Sequence, residues 1–253
     1  MHRFFVSKDD IGDDNIIISG DDAAHISKVL RLKAKDAVIV CDGEENEYTC
    51  LVSAIDKKKV ICSIVDKRHG TSEPPCKIDL YQGIPKSVKM DIIIQKCTEI
   101  GVGTVIPVDT ERVVVKLGNE RDSNGKTARW QRIAEEASKQ SSRGRIPTVE
   151  SPINYHEAID RLKEYDLAIM PYEKEASIGL KQALRGKTNI RSIGIFIGPE
   201  GGFTDQEVLI AQESKILPVT LGPRILRTET AGFVCLSIAM YELGDMGGEP
   251  WIE

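Results

Sequence analysis

Two stretches rich in glycine and proline, both late in the chain, hold the residues whose types and spacing could do chemistry. The first is Gly198-Pro199-Glu200-Gly201-Gly202, and the second runs Leu221-Gly222-Pro223-Arg224-Ile225-Leu226-Arg227-Thr228-Glu229-Thr230-Ala231. Glycine lets a backbone take positive φ and approach a ligand with no Cβ in the way. The spacing is not G-x-G-x-x-G and no Lys-Ser/Thr follows, which excludes a dinucleotide fingerprint and a P-loop. The second stretch sets apolar side chains beside two arginines and an acid, a mixture suited to a ligand with an apolar ring and a polar tail. The same residues would also serve as two tight β–α turns with their arginines in surface ion pairs.

The elements that must position these stretches are legible around them. Residues 193–197 and 216–221 are short, nearly continuous apolar runs, as expected of strands covered on both faces in a parallel sheet. A helix follows each loop. Thr204-Asp205-Gln206-Glu207 is a capping-box pattern for the first, and Thr228 is placed to cap the second, which is apolar from Ala231 to Met240. In open α/β sheets, ligands bind at the carboxyl ends of such strands.

Further upstream the same alternation holds. Strands are expected at 77–82, 102–108 and 166–170, and helices at 87–100, 127–142, 154–165 and 178–184. This pattern predicts an α/β domain with a largely parallel sheet. Residues 112–115 form a short β-branched run, and 121–125 read as a polar loop. Thr-Ser-Glu-Pro-Pro-Cys at 71–76 marks the domain boundary. Before it, short strands, a hairpin about Asp42-Gly43-Glu44-Glu45-Asn46 and one helix suggest a compact β-barrel. Asp21 or Asp22 would cap that helix, with Ala24, Val29 and Leu30 inward.

Two basic clusters accompany these elements. Lys86 and Lys89 sit at a strand-to-helix junction, where unpaired backbone N–H groups favour an anion. Arg143 closes a polar helix end that could receive phosphates, although both clusters also suit plain capping and solubility. The net charge of −5 over 253 residues argues against a general nucleic-acid binder. Residues 121–145 depart from that balance, with seven Lys or Arg against three acids. The six cysteines are scattered without a C-x-x-C pair, which predicts reduced, buried thiols and no metal site. No run approaches membrane-spanning length and no signal-peptide pattern opens the chain, so a cytoplasmic protein is expected.

IGPEGGFTDQE and LGPRILRTETA resemble the C-terminal signature of SPOUT methyltransferases, the trefoil-knotted class that binds S-adenosylmethionine. Within it they are similar to the family that methylates N3 of a uridine in 16S ribosomal RNA, and MHRFF and HISKVLRLK match that family's N-terminal pattern. The resemblance implies a PUA-like RNA-recognition β-barrel over 1–72 and a SPOUT methyltransferase domain over 73–253. It also implies a homodimer, S-adenosylmethionine as methyl donor with no metal, and 16S ribosomal RNA of the small ribosomal subunit as partner.

By the same resemblance, cofactor contacts fall to Met170, Gly198, Glu200, Gly201, Leu221, Gly222 and Leu226. RNA contacts fall to Arg3, His25, Arg31, Lys86, Lys89 and Arg143. Arg227 would stabilise the uracil carbonyl oxygens or orient phosphate, and Glu229 would orient that arginine or assist proton removal. Two other readings use the same residues. One is a ribose 2′-O-methyltransferase of ribosomal or transfer RNA. The other is a non-catalytic RNA-binding assembly factor whose glycine loops are only turns.

Overall fold

The computed structural model describes residues 1–44, 46–56, 58–70, 72–114 and 120–248, the side chains of 120–122 excepted. Thr71 of the boundary segment and Val115 of the β-branched run lie outside the described residues. The chain divides into two units, Met1–Glu73 with Ser138–Ile146, and Pro74–Ala137 with Pro147–Glu253.

The first unit contains β1 (His2–Phe5), β2 (Asn15–Ser19), α1 (Gly20–Ala24), β3 (Ala37–Cys41), β4 (Asn46–Ile55) and β5 (Lys59–His69). They form one sheet in the order β1-β3-β4-β5-β2, with β1 parallel to β3 and the other pairs antiparallel. Gly43, at φ +77°, turns the β3–β4 hairpin. Alternate residues of the strands, among them Ile16, Ile18, Val38, Val40, Val52 and Val60, meet in one apolar core.

The helix of this unit departs from the expected pattern. It starts after Ser19 with no side-chain cap, so neither Asp21 nor Asp22 caps it, and it passes into a π-type turn over His25–Leu30. That wider turn shifts the fully buried positions to Ala23 and Ile26 and leaves Val29 69% exposed, whereas Leu30 packs against the core as expected.

The second unit contains β6 (Lys77–Gly83), α2 (Lys89–Ile100), β7 (Thr104–Asp109), α3 (Glu120–Gln140), β8 (Thr148–Val149) and β9 (Ile153–Asn154). It continues through α4 (Tyr155–Leu162), β10 (Leu167–Pro171), α5 (Leu180–Leu184), β11 (Ser192–Ile197), α6 (Asp205–Glu213), β12 (Leu217–Val219) and α7 (Thr228–Leu243). The last residues of α3, from Ser138, belong to the first unit. The sheet runs β12-β10-β11-β6-β7-β8 with β9 also on β7, and every pair is parallel.

Residues of β11 face two separate cores. Ile193, Ile195 and Ile197 pack with α2 and α7, whereas Phe196 packs with Tyr155 and Phe203 on the other side. Burial on both faces is why this strand reads as continuous apolar sequence. Residues 121–125 are the first turns of α3 rather than a loop. Burial of Trp130 and Ala134 further along the helix outweighs the weak helix propensity of Asp, Ser, Asn and Gly there. The helix expected over 178–184 shortens to α5, because backbone bonds join Ile178 and Leu180 to Thr220.

Candidate active site

The carboxyl ends of β10, β11 and β12 and the loops that follow them surround a cleft of about 910 Å³. Pro171 and Tyr172 form one wall, Gly198–Phe203 the second, and Thr220–Thr228 the third. The glycine loop is tight. Gly202 sits at φ +65°, and its N–H donates to the Pro199 carbonyl at 2.9 Å. Below it, a Cβ at Gly83 would lie 2.6 Å from both Pro199 Cδ and Pro199 N, so β6 and this loop approach at a distance only glycine permits.

A polar fastener lies beneath the cleft. Gln82 is fully buried, and its Nε2 donates to the Gly83 carbonyl at 2.9 Å and to Thr228 Oγ1 at 2.9 Å. A longer contact of 3.5 Å reaches the Gly198 carbonyl. Thr228 was expected to cap α7. Instead Arg227 occupies the cap position without a side-chain bond, and the Thr228 hydroxyl donates to the Gly198 carbonyl at 2.6 Å.

Charge is concentrated at one side of the cleft. Lys89 Nζ lies 2.9 Å from Glu200 Oε1 and 3.3 Å from Glu229 Oε2. The Lys86 backbone N–H also donates to Glu200, at 3.1 Å to Oε1. Partial burial pushes the Glu200 carboxyl up, but the Lys89 ammonium and backbone N–H groups outweigh it and hold the carboxyl below its ordinary value. Glu200, followed by Glu229, raises the Lys89 ammonium above its ordinary range. Arg227 Nη1 is 3.9 Å from Glu229 Oε1, with the arginine side chain 83% exposed and the carboxylate 17%. Lys89 is therefore the nearer cation to Glu229.

The structure gathers many of the sequence candidates here. Gly198, Glu200, Gly201, Leu221, Gly222, Leu226, Arg227 and Lys89 all line the cleft. Met170 does not line it. That side chain is fully buried in the apolar core with Phe196 and Phe203, and the following Pro171 and Tyr172 take the wall. Glu229 stands behind the wall through Lys89, and Lys86 is exposed beside Glu200.

In the first unit the candidates divide. His25 and Arg31 are exposed, with Arg31 ending the π-type turn at φ +53°. Arg3 and Arg143, expected as phosphate contacts, face carboxylates in the interior and not solvent. Arg3 Nη1 donates to Glu47 Oε1 at 2.7 Å, and the Arg143 guanidinium is held by Glu73.

Gln82, and Thr228 as a fastener, escaped the sequence reading as site residues. For Gln82 one signal existed, a polar residue near the carboxyl end of a strand that a glycine closes. The two partners that tie it to the cleft loops are 116 and 146 residues away, and nothing local names them.

Among the described residues, no cluster of three or more His, Cys, Asp or Glu could hold a metal ion. No helix of the described residues is long and apolar enough to cross a membrane.

The family described as RNA methyltransferase domain matches residues 72–240, and the RNA methyltransferase PUA domain matches residues 18–65. Ribosomal RNA small subunit methyltransferase E of Bacillus subtilis is 33% identical over 98% of this chain and 100% of its own length. The Aquifex aeolicus protein of the same name is 33% identical, covering 95% of this chain and 99% of its own. A crystal structure of ribosomal RNA small subunit methyltransferase E from Neisseria gonorrhoeae, bound to S-adenosyl methionine, superposes with a TM-score of 0.86 at 29% identity. That alignment covers 97% of this chain and 99% of the other. The chain belongs to the ribosomal RNA small subunit methyltransferase E family.

Proposed function

We propose that the protein transfers the methyl group of S-adenosylmethionine to N3 of a uridine in 16S ribosomal RNA. The observation that carries the reading is the cleft itself, formed by three loops at the carboxyl ends of adjacent parallel strands, where α/β sheets bind ligands. Its volume of about 910 Å³ suits an adenosine with an amino-acid tail. Ile197, Leu221 and Leu226 offer apolar surface for a ring, and the close-packed glycines bring backbone donors and acceptors near it.

When bound, S-adenosylmethionine supplies a methyl group activated by a sulfonium. The protein then has no covalent nucleophile to provide. Its work is to align N3 of the uracil and to support the negative charge that develops as the imide proton leaves. Arg227 stabilises the uracil carbonyl oxygens in this reading, since a guanidinium stays protonated and this one is exposed at the cleft rim. Glu229 anchors that arginine, and Lys89 pairs with the same carboxylate from the other side.

RNA is recognised through His25 and Arg31 of the first unit and through Lys86 and Lys89 at the start of α2. The target is a uridine of the small ribosomal subunit in the cytoplasm, modified by a homodimer. The partly exposed face of α7, with Phe233, Val234, Ile238 and Tyr241, supplies the dimer surface.

The test is labelled methyl transfer onto small ribosomal subunits that lack the modification, followed by primer extension. An N3 methyl blocks the pairing edge, so a new stop at one uridine is expected. Label incorporation without a stop would move the methyl to a ribose and overturn the base assignment.

A further inference from the structure

Three chain segments meet at Gln82. Its own strand, β6, lies beside β11 with Gln82 in register with Ile197, the residue before Gly198. Through one nitrogen its amide reaches the Gly198 carbonyl and the Thr228 hydroxyl, and that hydroxyl donates in turn to the same carbonyl. Gly198 opens the second wall of the cleft and Thr228 closes the third. One buried amide and one nearly buried hydroxyl thus join these two walls.

The amide is an expensive choice for this position. Gln82 Oε1 is buried without a hydrogen-bond partner, on the side of Gly232 in α7. An apolar side chain of similar size would bury without leaving an acceptor unsatisfied. What the apolar side chain lacks is a donor nitrogen that serves two segments at once. Local rules are broken in this way where a geometry is required for function.

We infer that Gln82 and Thr228 are positioning residues for the methyl-donor pocket. They turn the Gly198 carbonyl inward and fix the separation of the loops after β11 and β12, without touching the reacting atoms. The inference rests on the methyl-donor reading of the cleft.

The pair is tested by calorimetric titration with S-adenosylmethionine, with melting temperatures recorded for every variant and all titrations run well below the lowest. T228V keeps the shape and removes the hydroxyl, and its dissociation constant should rise on the order of tenfold. T228S, which restores the hydroxyl, should recover most of that loss. Q82L should weaken binding similarly, and the double variant Q82L/T228V should be little worse than either single one, because the two act as a unit.

Wild-type affinity in a folded T228V, or a T228S as weak as T228V, would overturn the inference even if Q82L failed to fold. A wild-type protein with no saturable heat would sink the methyl-donor reading, and this inference with it. A wild-type protein that binds beside variants that bind equally well sinks the inference alone.

Discussion

Arg143 grips Glu73 with two donors, Nε to Oε1 at 3.2 Å and Nη2 to Oε2 at 2.6 Å, and the pair is almost wholly withdrawn from water. The same carboxylate accepts the Arg145 backbone N–H at 3.2 Å, and Ser72 Oγ accepts that of Gly144 at 2.9 Å. Removing Glu73 takes two charge-assisted acceptors from a buried guanidinium and one from the Arg145 backbone. Glu73→Ala should therefore destabilise the first unit by about 3 kcal/mol in urea titration. A loss below about 0.5 kcal/mol, the size of an exposed pair, would contradict the burial.

Arg227 is expected to matter for chemistry and little for cofactor binding, because its side chain projects from the cleft rim. Arg227→Ala should lower single-turnover methyl transfer by roughly 100-fold, the scale of a lost oxyanion donor. Its affinity for S-adenosylmethionine should stay within a few-fold of wild type. Transfer near the wild-type rate would remove Arg227 from the mechanism.

The Glu200–Lys89–Glu229 group makes a prediction about pH. The Glu200 carboxyl is held below its ordinary 4.5, so its contribution is present above 4.5 and lost as pH falls through the lower folded value. The Lys89 ammonium is raised above its ordinary 10.5, so its contribution is full below 10.5 and lost only at higher pH. Cofactor affinity should then be flat between about pH 6 and 9 as far as this group is concerned. Lys89→Met, which leaves two carboxylates facing each other, should weaken binding across that whole range. A titration showing that loss at one end only would assign the charge to another group.

All six cysteines are buried and free. Burial pushes the Cys41 and Cys62 thiols up to about 11 and the Cys50 thiol to about 12. The native protein should therefore resist thiol reagents at pH 8 and release six reactive groups in denaturant. Because the folded values lie above the ordinary 9.0, their contribution to stability is full below pH 9.0 and is lost as pH climbs towards 11–12. Rapid labelling of native protein would show that these strands open readily.

Gly83 provides a steric test of the glycine loop. In Gly83→Ala the new methyl would meet Pro199 at 2.6 Å, and the obstacle is backbone and ring, which cannot swing aside. Overpacking of this kind costs about 1–3 kcal/mol, and the displaced loop should lose cofactor binding as well. A variant that binds normally would mean the loop has slack.

How much of this was readable from residues alone depended on how local each signal was. The run ending at Ile197 and the Thr204–Glu207 capping box declare themselves within a few residues, and both are formed as expected. The two glycine loops were legible for the same reason, with their strands, turns and helices adjacent in sequence. Arg143 was not. A basic residue at a polar helix end reads as surface, and the glutamate that buries it lies 70 residues upstream. Met170 lies in the apolar core, and the residue of that strand that lines the cleft is the next one, Pro171. The π-type turn at His25–Leu30 escaped because period counting presumes 3.6 residues per turn.

The central strand of the large sheet, β6, is made early, yet one of its two flanking partners is β11, Ser192–Ile197. During synthesis it waits with one edge bare until more than a hundred further residues have been added. Such remote pairings slow folding and expose strand edges to other chains. The unit that carries the cleft is therefore the one expected to lean on chaperones while it is being made.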